Sequence, residues 1–153
     1  WMVREENSRA DINLEEDLIF KASLSNNRLK EMFIDETLEN DGEKRGPDAA
    51  ELLAMGVLGC LSASFIFCLK KRELTLDDLE ASAEVSFKKI ERGYTRIKQI
   101  DIELIPKTED PDTLKRVKQC TREMRTGHML FEENCIITSS VREGIEVNVD
   151  VKI

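Results

Sequence analysis

An uncharged apolar run, residues 52–69, constrains the fold of this chain more than any other feature of the sequence. Asp, Glu, Lys and Arg make up 35% of the chain, so a run without charge must be shielded from water. The run is bounded by Glu51 on one side and by the basic residues 70–72 on the other. It is either a membrane span or a buried central helix, and it carries two cysteines, Cys60 and Cys68.

Length and composition favour the buried helix. A bilayer span needs about 20 apolar residues, so this run lies at the lower limit. Small side chains interrupt it and suit close helix packing inside a protein. The charges spread over residues 4–17 do not fit a secretory signal. We therefore predict a cytoplasmic protein that makes no contact with a membrane. The small residues are Ala54, Gly56, Gly59, Ser62, Ala63 and Ser64.

The chain has 153 residues, which predicts a single domain over residues 11–153. Residues 1–10 are interpreted as an N-terminal extension in which Trp1, ahead of Met2, is an added remnant. A helix that is apolar on all faces needs covering on all sides, and a chain of this size has a limited core. That combination favours an oligomer. The net charge of -8 argues against a nucleic-acid partner.

Apolar residues alternate from Ile12 to Leu24 with one lapse at Glu16, which predicts one strand. A turn at residues 25–27 and a returning strand at residues 29–34 would complete a hairpin. A polar loop over residues 35–46 follows, and Pro47 is placed in the first turn of a helix that runs to about Arg72.

The second half predicts a strand over residues 79–87, a turn at Gly93 and a strand over residues 100–104 that Pro106 ends. A helix begins at Asp110-Pro111, and Gly127 is a plausible stop. Residues 128–141 give no clear pattern. The alternation at residues 145–153 predicts a closing strand. This order of elements indicates the α+β class with antiparallel hairpins.

Two cysteine blocks resemble the OsmC/Ohr superfamily. The first is Pro-Asp-Ala-Ala-Glu-Leu-Leu-Ala-Met-Gly-Val-Leu-Gly-Cys at residues 47–60. The second is Cys-Ile-Ile-Thr-Ser-Ser-Val at residues 135–141, followed by Gly144 and the alternating segment. The stretch at residues 33–36 also looks like the family. The resemblance extends from about Asp11 to the last residue and suits a broader OsmC-like branch better than the typical Ohr branch.

The resemblance implies antiparallel sheets around a long buried central helix in an intertwined homodimer. It also implies a thiol-dependent peroxidase that reduces organic hydroperoxides and needs neither cofactor nor metal. By position, Cys60 would attack the peroxide and become a sulfenic acid. Cys135 would resolve it as a Cys60–Cys135 disulfide, which a dithiol reductant would then reduce.

The sequence departs from the best-known peroxidase branch ahead of Cys60. The activating glutamate expected ten residues before the reactive cysteine is Ala50 here. Glu51 is adjacent and is the tentative substitute, although nine residues along a regular helix places it on the opposite face from Cys60. An arginine from an early loop is also expected, and Arg28 and Arg45 are both candidates.

The remaining thiols and the histidine have simpler interpretations. Cys68 and Cys120 are predicted to be core side chains, and without a secretory signal the thiols are expected to be structural or redox-active rather than a disulfide framework. A metal site of His128, Cys120 and Cys135 is a minor alternative, because its spacing matches no common zinc pattern. A surface or interface position is preferred for His128.

Two other functions remain open. One is a non-catalytic OsmC-like stress-response protein that binds a small apolar ligand in the dimer cleft. The other is a membrane-anchored protein.

Overall fold

The computed structural model describes residues 7–23, 28–38 and 43–153. Strands β1 (Asp11–Glu16), β2 (Ile19–Ser23) and β3 (Glu31–Asp35) form one antiparallel sheet in that order, and β4 (Asp78–Lys89) and β5 (Thr95–Lys107) form a second sheet. Two short 3₁₀ helices cover Glu91–Gly93 and Leu130–Asn134. This arrangement confirms the α+β class. The α-helices among the described residues are α1 (Ala49–Lys70), α2 (Pro111–Cys120) and α3 (Ile136–Glu143).

The described chain divides into two compact units. The first contains the described residues up to Met55 together with 85–99, and the second contains 56–84 and 100–153. Helix α1 and strands β4 and β5 each contribute residues to both units. The prediction of a single domain stays a prediction, and residue 1 lies outside the described residues.

The first unit corrects the predicted N-terminal strand. Residues 11–23 contain two strands where one was predicted, because the chain reverses at Asp17, whose φ of 44° is left-handed. Glu16 pairs with Ile19 across this turn. The lapse in alternation at Glu16 therefore marks a strand end. The returning strand is β3, whereas the turn predicted at residues 25–27 lies outside the described residues.

Asp35, at the end of β3, fixes the loop that leads to α1. Its carboxylate is buried and accepts hydrogen bonds from the Thr37 hydroxyl at 2.6 Å, the Thr37 N–H at 3.0 Å and the Arg45 N–H at 2.9 Å. The Thr37 hydroxyl is the main cause that lowers the pKa of Asp35, followed by the backbone N–H of Arg45. The Asp35 N–H in turn donates to the Pro47 carbonyl at 3.0 Å.

Helix α1 begins at Ala49, so the placement of Pro47 in its first turn is wrong. Asp48 caps the helix: its carboxylate accepts from the Glu51 N–H at 2.8 Å, and the Glu51 carboxylate accepts from the Asp48 N–H at 3.4 Å. This reciprocal arrangement is a capping box. Pro47 lies just outside it and still precedes the helix start.

Helix α1 is long and apolar enough to cross a membrane, and fewer than half of the residues in its apolar window are buried within the chain. A core helix of a folded protein has the same composition, so this finding alone is weak evidence for a span. The first half of the helix is the less buried part, with Leu53, Met55, Gly56 and Gly59 exposed. A Cβ atom added at either glycine would meet nothing within 4 Å. The close helix approach predicted at these glycines therefore does not occur among the described residues of the chain.

The second unit contains a core formed by α1, α2 and the 3₁₀ helix at residues 130–134. Asp110 caps α2 as predicted, because its carboxylate accepts from the Thr113 N–H at 2.9 Å and hydroxyl at 2.7 Å. The helix ends at Cys120, well before Gly127. Gly127 instead has a φ of 85° in a tight turn, in which its N–H donates to the Met124 carbonyl.

Two predictions about strands in this unit are wrong. Strand β5 continues through Pro106 to Lys107, whose carbonyl accepts from the Asp77 N–H at 2.9 Å. Each strand of a two-stranded sheet has an open edge, where a proline without an N–H is tolerated. Residues 145–153 form no strand, and their apolar side chains are exposed, since no neighbouring strand within the described chain supplies backbone partners.

Candidate active site

The structure brings Cys60 and Cys135 together in the second unit. Helix α1 carries Cys60, and the 3₁₀ helix at residues 130–134 delivers Cys135 to the start of α3. Both side chains are buried, and neither belongs to a disulfide. The Cys135 thiol lies close enough to Cys60 to raise the pKa of the Cys60 thiol. Two free thiols in contact are the groups that a two-cysteine redox reaction requires.

Cys135 occupies the N-cap position of α3. Its sulfur accepts from the Thr138 N–H at 3.3 Å, and the Thr138 hydroxyl lies 3.0 Å from the same sulfur. Serine, threonine, aspartate or asparagine usually fills this position and satisfies a free N–H of the first turn. Here sulfur does so, and the capping contacts fix the direction of the Cys135 side chain.

The start of α3 also acts on Cys60. Burial raises the pKa of the Cys60 thiol, and the adjacent Cys135 thiol raises it further. The backbone N–H groups of Ile137 and Ile136 lie near the Cys60 sulfur and lower the pKa of its thiol. Burial dominates, so the thiol is the resting form. The two N–H groups are nevertheless placed to stabilise a thiolate, as free donors at a helix N-terminus do.

Glu51 has a local role in the structure. Its carboxylate belongs to the capping box with Asp48, at the start of α1. An activating role for Glu51 toward Cys60 stays a prediction.

The two candidate arginines also have defined surroundings. The Arg45 guanidinium lies 4.0 Å from the centre of the Phe33 ring and forms a 3.1 Å ion pair with Glu16. Arg28 is exposed. The groups that lower the pKa of Cys60 are instead the backbone N–H groups of Ile136 and Ile137, which no side-chain motif predicts.

The prediction that Cys68 and Cys120 are simple core thiols is wrong in one respect. Both are buried, but they form a disulfide with Cα atoms 6.1 Å apart. The two residues are 52 positions apart in the sequence, and only the packing of α2 on α1 brings them together. The disulfide also removes Cys120 from the alternative metal site with His128. No group of residues able to hold a metal occurs in the described part of the chain.

The sequence placed Thr138 in the second cysteine block but did not predict its contact with Cys135, and it gave no indication of the two amides beside Cys60. The cap itself follows a common pattern, in which the side chain just before a helix accepts from the N–H three residues later. Here Cys135 and Thr138 have that spacing. The contact was missed because cysteine is an unusual cap. The amide contacts depend on tertiary packing and leave no local pattern.

Comparison with known proteins agrees with this architecture. A family model described as OsmC-like protein matches residues 41–150. An OsmC-like protein from Mycoplasma pneumoniae aligns with a TM-score of 0.65 at 13% identity, covering 91% of this chain and 89% of the other. An OsmC-like protein of unknown function from Vibrio cholerae aligns with a TM-score of 0.65 at 12% identity, covering 88% and 93%.

A hypothetical protein from Aquifex aeolicus aligns with a TM-score of 0.60 at 19% identity, covering 90% of this chain and 89% of the other. No curated protein matches the sequence. The low identities show a shared fold. The family model covers both cysteines of the site and more than half of the chain. The chain therefore belongs to the OsmC-like protein family.

Proposed function

We propose that this protein is a thiol-dependent peroxidase that reduces organic hydroperoxides through Cys60 and Cys135. The observation that carries the proposal is the contact between two free, buried thiols at the start of α3. The family resemblance of the two cysteine blocks supports the same roles.

The reaction takes place at two sulfur atoms. The Cys60 thiolate attacks one peroxide oxygen, so a sulfur–oxygen bond forms, the O–O bond breaks and the alcohol leaves after taking a proton. The Cys135 thiolate then attacks the Cys60 sulfenic acid. A disulfide forms and water leaves. A dithiol reductant supplies two electrons and two protons to restore both thiols.

Cys60 needs help to react as a thiolate, because burial opposes its ionisation. The N–H groups of Ile136 and Ile137 supply part of that help. Glu51 remains a candidate for an additional role, which Glu51→Gln tests through the rate of Cys60 oxidation.

The surroundings of Cys60 favour an organic substrate. Val57, Leu61 and Phe65 belong to the same buried cluster as Cys60. An apolar wall binds the alkyl group of a hydroperoxide by burying its surface, whereas hydrogen peroxide has none to bury.

We further propose that the protein is an intertwined homodimer. Part of the first half of α1 is apolar yet exposed in the single chain, at Leu53, Met55, Gly56 and Gly59, and the alternating apolar side chains of residues 145–153 are exposed as well. A second copy would cover the helix and would offer strands to the tail. A membrane is the alternative cover for α1. Recovery of the protein in the soluble fraction without detergent would exclude a membrane as the cover for α1, and dependence on detergent would contradict the dimer proposal.

The decisive experiment is mass analysis without reductant after one equivalent of cumene hydroperoxide. We expect one equivalent of cumyl alcohol, loss of two thiols and a linked peptide pair containing Cys60 and Cys135. Cys60→Ser should prevent all three changes, and Cys135→Ser should stop the reaction at the sulfenic acid, which dimedone traps.

Survival of Cys60 as a thiol with unconsumed peroxide would overturn the peroxidase proposal. The alternative would then be an OsmC-like protein that binds an apolar ligand, with incidental cysteines.

A further inference from the structure

Two segments of the second unit contact each other at three successive points. On α1 the points are Cys60, Phe65 and Cys68. On the segment from the end of α2 to the start of α3 their partners are Cys135, Phe131 and Cys120, in reverse order along the chain. The first contact joins two free thiols, the second two aromatic rings, and the third is a covalent disulfide. All six side chains belong to one buried cluster.

The disulfide is the fixed end of this series. Cys120 ends α2, and the disulfide joins it to Cys68 near the end of α1. A second link reinforces the same junction, because the Arg116 Nε donates to the Cys68 carbonyl at 3.0 Å. This carbonyl lies in the last turn of α1, where helix carbonyls lack partners from the helix itself.

Short-range contacts within residues 121–135 fix the position of Cys135 relative to Cys120. The Leu130 N–H donates to the Arg122 carbonyl at 3.0 Å, which folds the segment back on itself. The Glu132 carboxylate then accepts from the Met129 N–H at 2.6 Å and pairs with Arg142 of α3 at 2.6 Å. These contacts restrain the backbone between the disulfide and the Cys135 sulfur.

We propose that the Cys68–Cys120 disulfide is a positioning cross-link that holds Cys135 against Cys60. Cys68 and Cys120 do not touch the peroxide. They set how often the Cys135 sulfur is within reach of the Cys60 sulfur, and so they set the rate and equilibrium of Cys60–Cys135 disulfide formation. The kinetic part of this inference rests on the proposed peroxidase function, whereas the equilibrium part does not.

The cross-link also gives the site a dependence on a second redox couple. A dithiol that reaches the buried pair breaks the Cys68–Cys120 bond, forms its own disulfide and leaves two electrons and two protons on the two thiols. Cys135 then loses one of its restraints. The attack of Cys135 on the Cys60 sulfenic acid then slows. The attack of Cys60 on the peroxide continues, because it does not involve this pair.

The test compares the native chain with Cys68→Ala/Cys120→Ala in glutathione buffers of known ratio. Alkylation and mass analysis measure the Cys60–Cys135 disulfide and confirm that Cys68–Cys120 stays intact in the native chain. We expect the effective concentration of Cys135 toward Cys60 to fall about tenfold or more in the variant. An unchanged value would overturn the proposal.

Val117→Ala is the matched control, since it removes buried volume from α2 and leaves the disulfide in place. We expect its effective concentration to stay close to that of the native chain. An equal fall in Val117→Ala and in the double variant would assign the effect to core packing and would overturn the cross-link.

Reoxidation of the fully reduced native chain gives the same information without substitution, should the double variant fail to fold. We expect Cys60–Cys135 to form faster in molecules that already contain Cys68–Cys120. Equal rates with and without that disulfide would contradict the proposal.

A peroxide arm separates the two proposals. In the double variant we expect an unchanged rate of Cys60 sulfenic acid formation and slower linkage to Cys135. A chain that never forms the sulfenic acid contradicts the peroxidase function, while the glutathione result still decides the cross-link.

Discussion

The rings of Phe65 and Phe131 meet edge to face, with their centres 5.1 Å apart and an angle of 82° between their planes. The pair lies between the two cysteine contacts and joins α1 to the 3₁₀ helix that precedes Cys135. It is the apolar connection between the disulfide and the reactive thiols.

Phe131→Ala should lower the free energy of unfolding by about 3–5 kcal/mol, because it removes a buried ring and leaves a cavity beside Phe65. Urea unfolding followed by circular dichroism measures the change. Leu38→Ala is the control at an exposed position, where we expect a change within about 0.5 kcal/mol. Equal changes in both variants would contradict the packing role of the ring pair.

Reduction of the Cys68–Cys120 disulfide should lower the free energy of unfolding by about 4 kcal/mol, since the bond closes a loop over 52 positions in the unfolded chain. Urea titrations with and without a dithiol measure the difference. The Cys68→Ala/Cys120→Ala variant should not respond to the dithiol. A response of that variant equal to the native one would show that the dithiol acts elsewhere.

The reactivity of Cys60 should rise with pH well beyond neutrality. Burial raises the pKa of its thiol, so the thiolate fraction increases about tenfold per pH unit until the folded-state pKa is reached. The rate of Cys60 alkylation by iodoacetamide, followed by peptide mass analysis in the Cys135→Ser background, measures the profile. A rate that is already constant below pH 7 would contradict a raised pKa.

The same shift has a stability consequence of defined sign. The folded-state pKa of Cys60 is raised, so the stability that comes from its neutral form is complete below the unfolded pKa of about 8.5. It is lost as the pH rises through the folded-state pKa. Cys60→Ala should make unfolding less sensitive to pH in that alkaline range.

Gly46→Ala should destabilise the first unit by about 2 kcal/mol or more, because an added Cβ would lie 1.8 Å from the Phe33 carbonyl oxygen, a backbone atom that cannot rotate away. Thermal unfolding measures the loss. Gly59→Ala is the control, because an added Cβ at this position meets nothing within 4 Å in the single chain. A Gly46→Ala variant as stable as the native protein would show that the loop moves readily.

Gly56→Leu tests the homodimer. Gly56 is exposed on α1 and has open space around it in the single chain, so a monomer should tolerate the larger side chain. In a dimer that packs on this face, leucine should weaken association by about tenfold or more. Sedimentation velocity over a range of concentrations measures it. A native chain that stays monomeric throughout would contradict the homodimer.

Local chemistry explains which parts of the fold could be predicted. The cap at Asp110 is a local signal, and α2 begins where it predicts. The alternation of residues 79–87 is also local, and β4 covers those residues as expected. The turn at Asp17 was missed because the alternation resumes on its far side. The strand expected at residues 145–153 has the right side chains, but a strand also needs a neighbour, which sequence alternation does not supply.

The site was predictable only as far as its family motif extends. Cys60 and Cys135 could be paired by resemblance, and the structure places them in contact. The amides of Ile136 and Ile137 belong to a helix that gave no clear signal, and their effect on Cys60 depends on packing between distant segments. The Cys68–Cys120 bond depends on the same packing and could not be inferred from spacing.

The position of both partner cysteines late in the sequence has a consequence for synthesis of the chain. At about 5–20 residues per second, Cys60 is made about 4–15 seconds before Cys135. Until Cys120 is made, about 3–12 seconds after Cys60, Cys60 and Cys68 are the two thiols that could pair wrongly. Once α1 forms, their separation of eight positions corresponds to about 12 Å along the helix axis, beyond the reach of a disulfide. Early formation of one helix therefore protects the nascent chain from mispairing until its second half arrives.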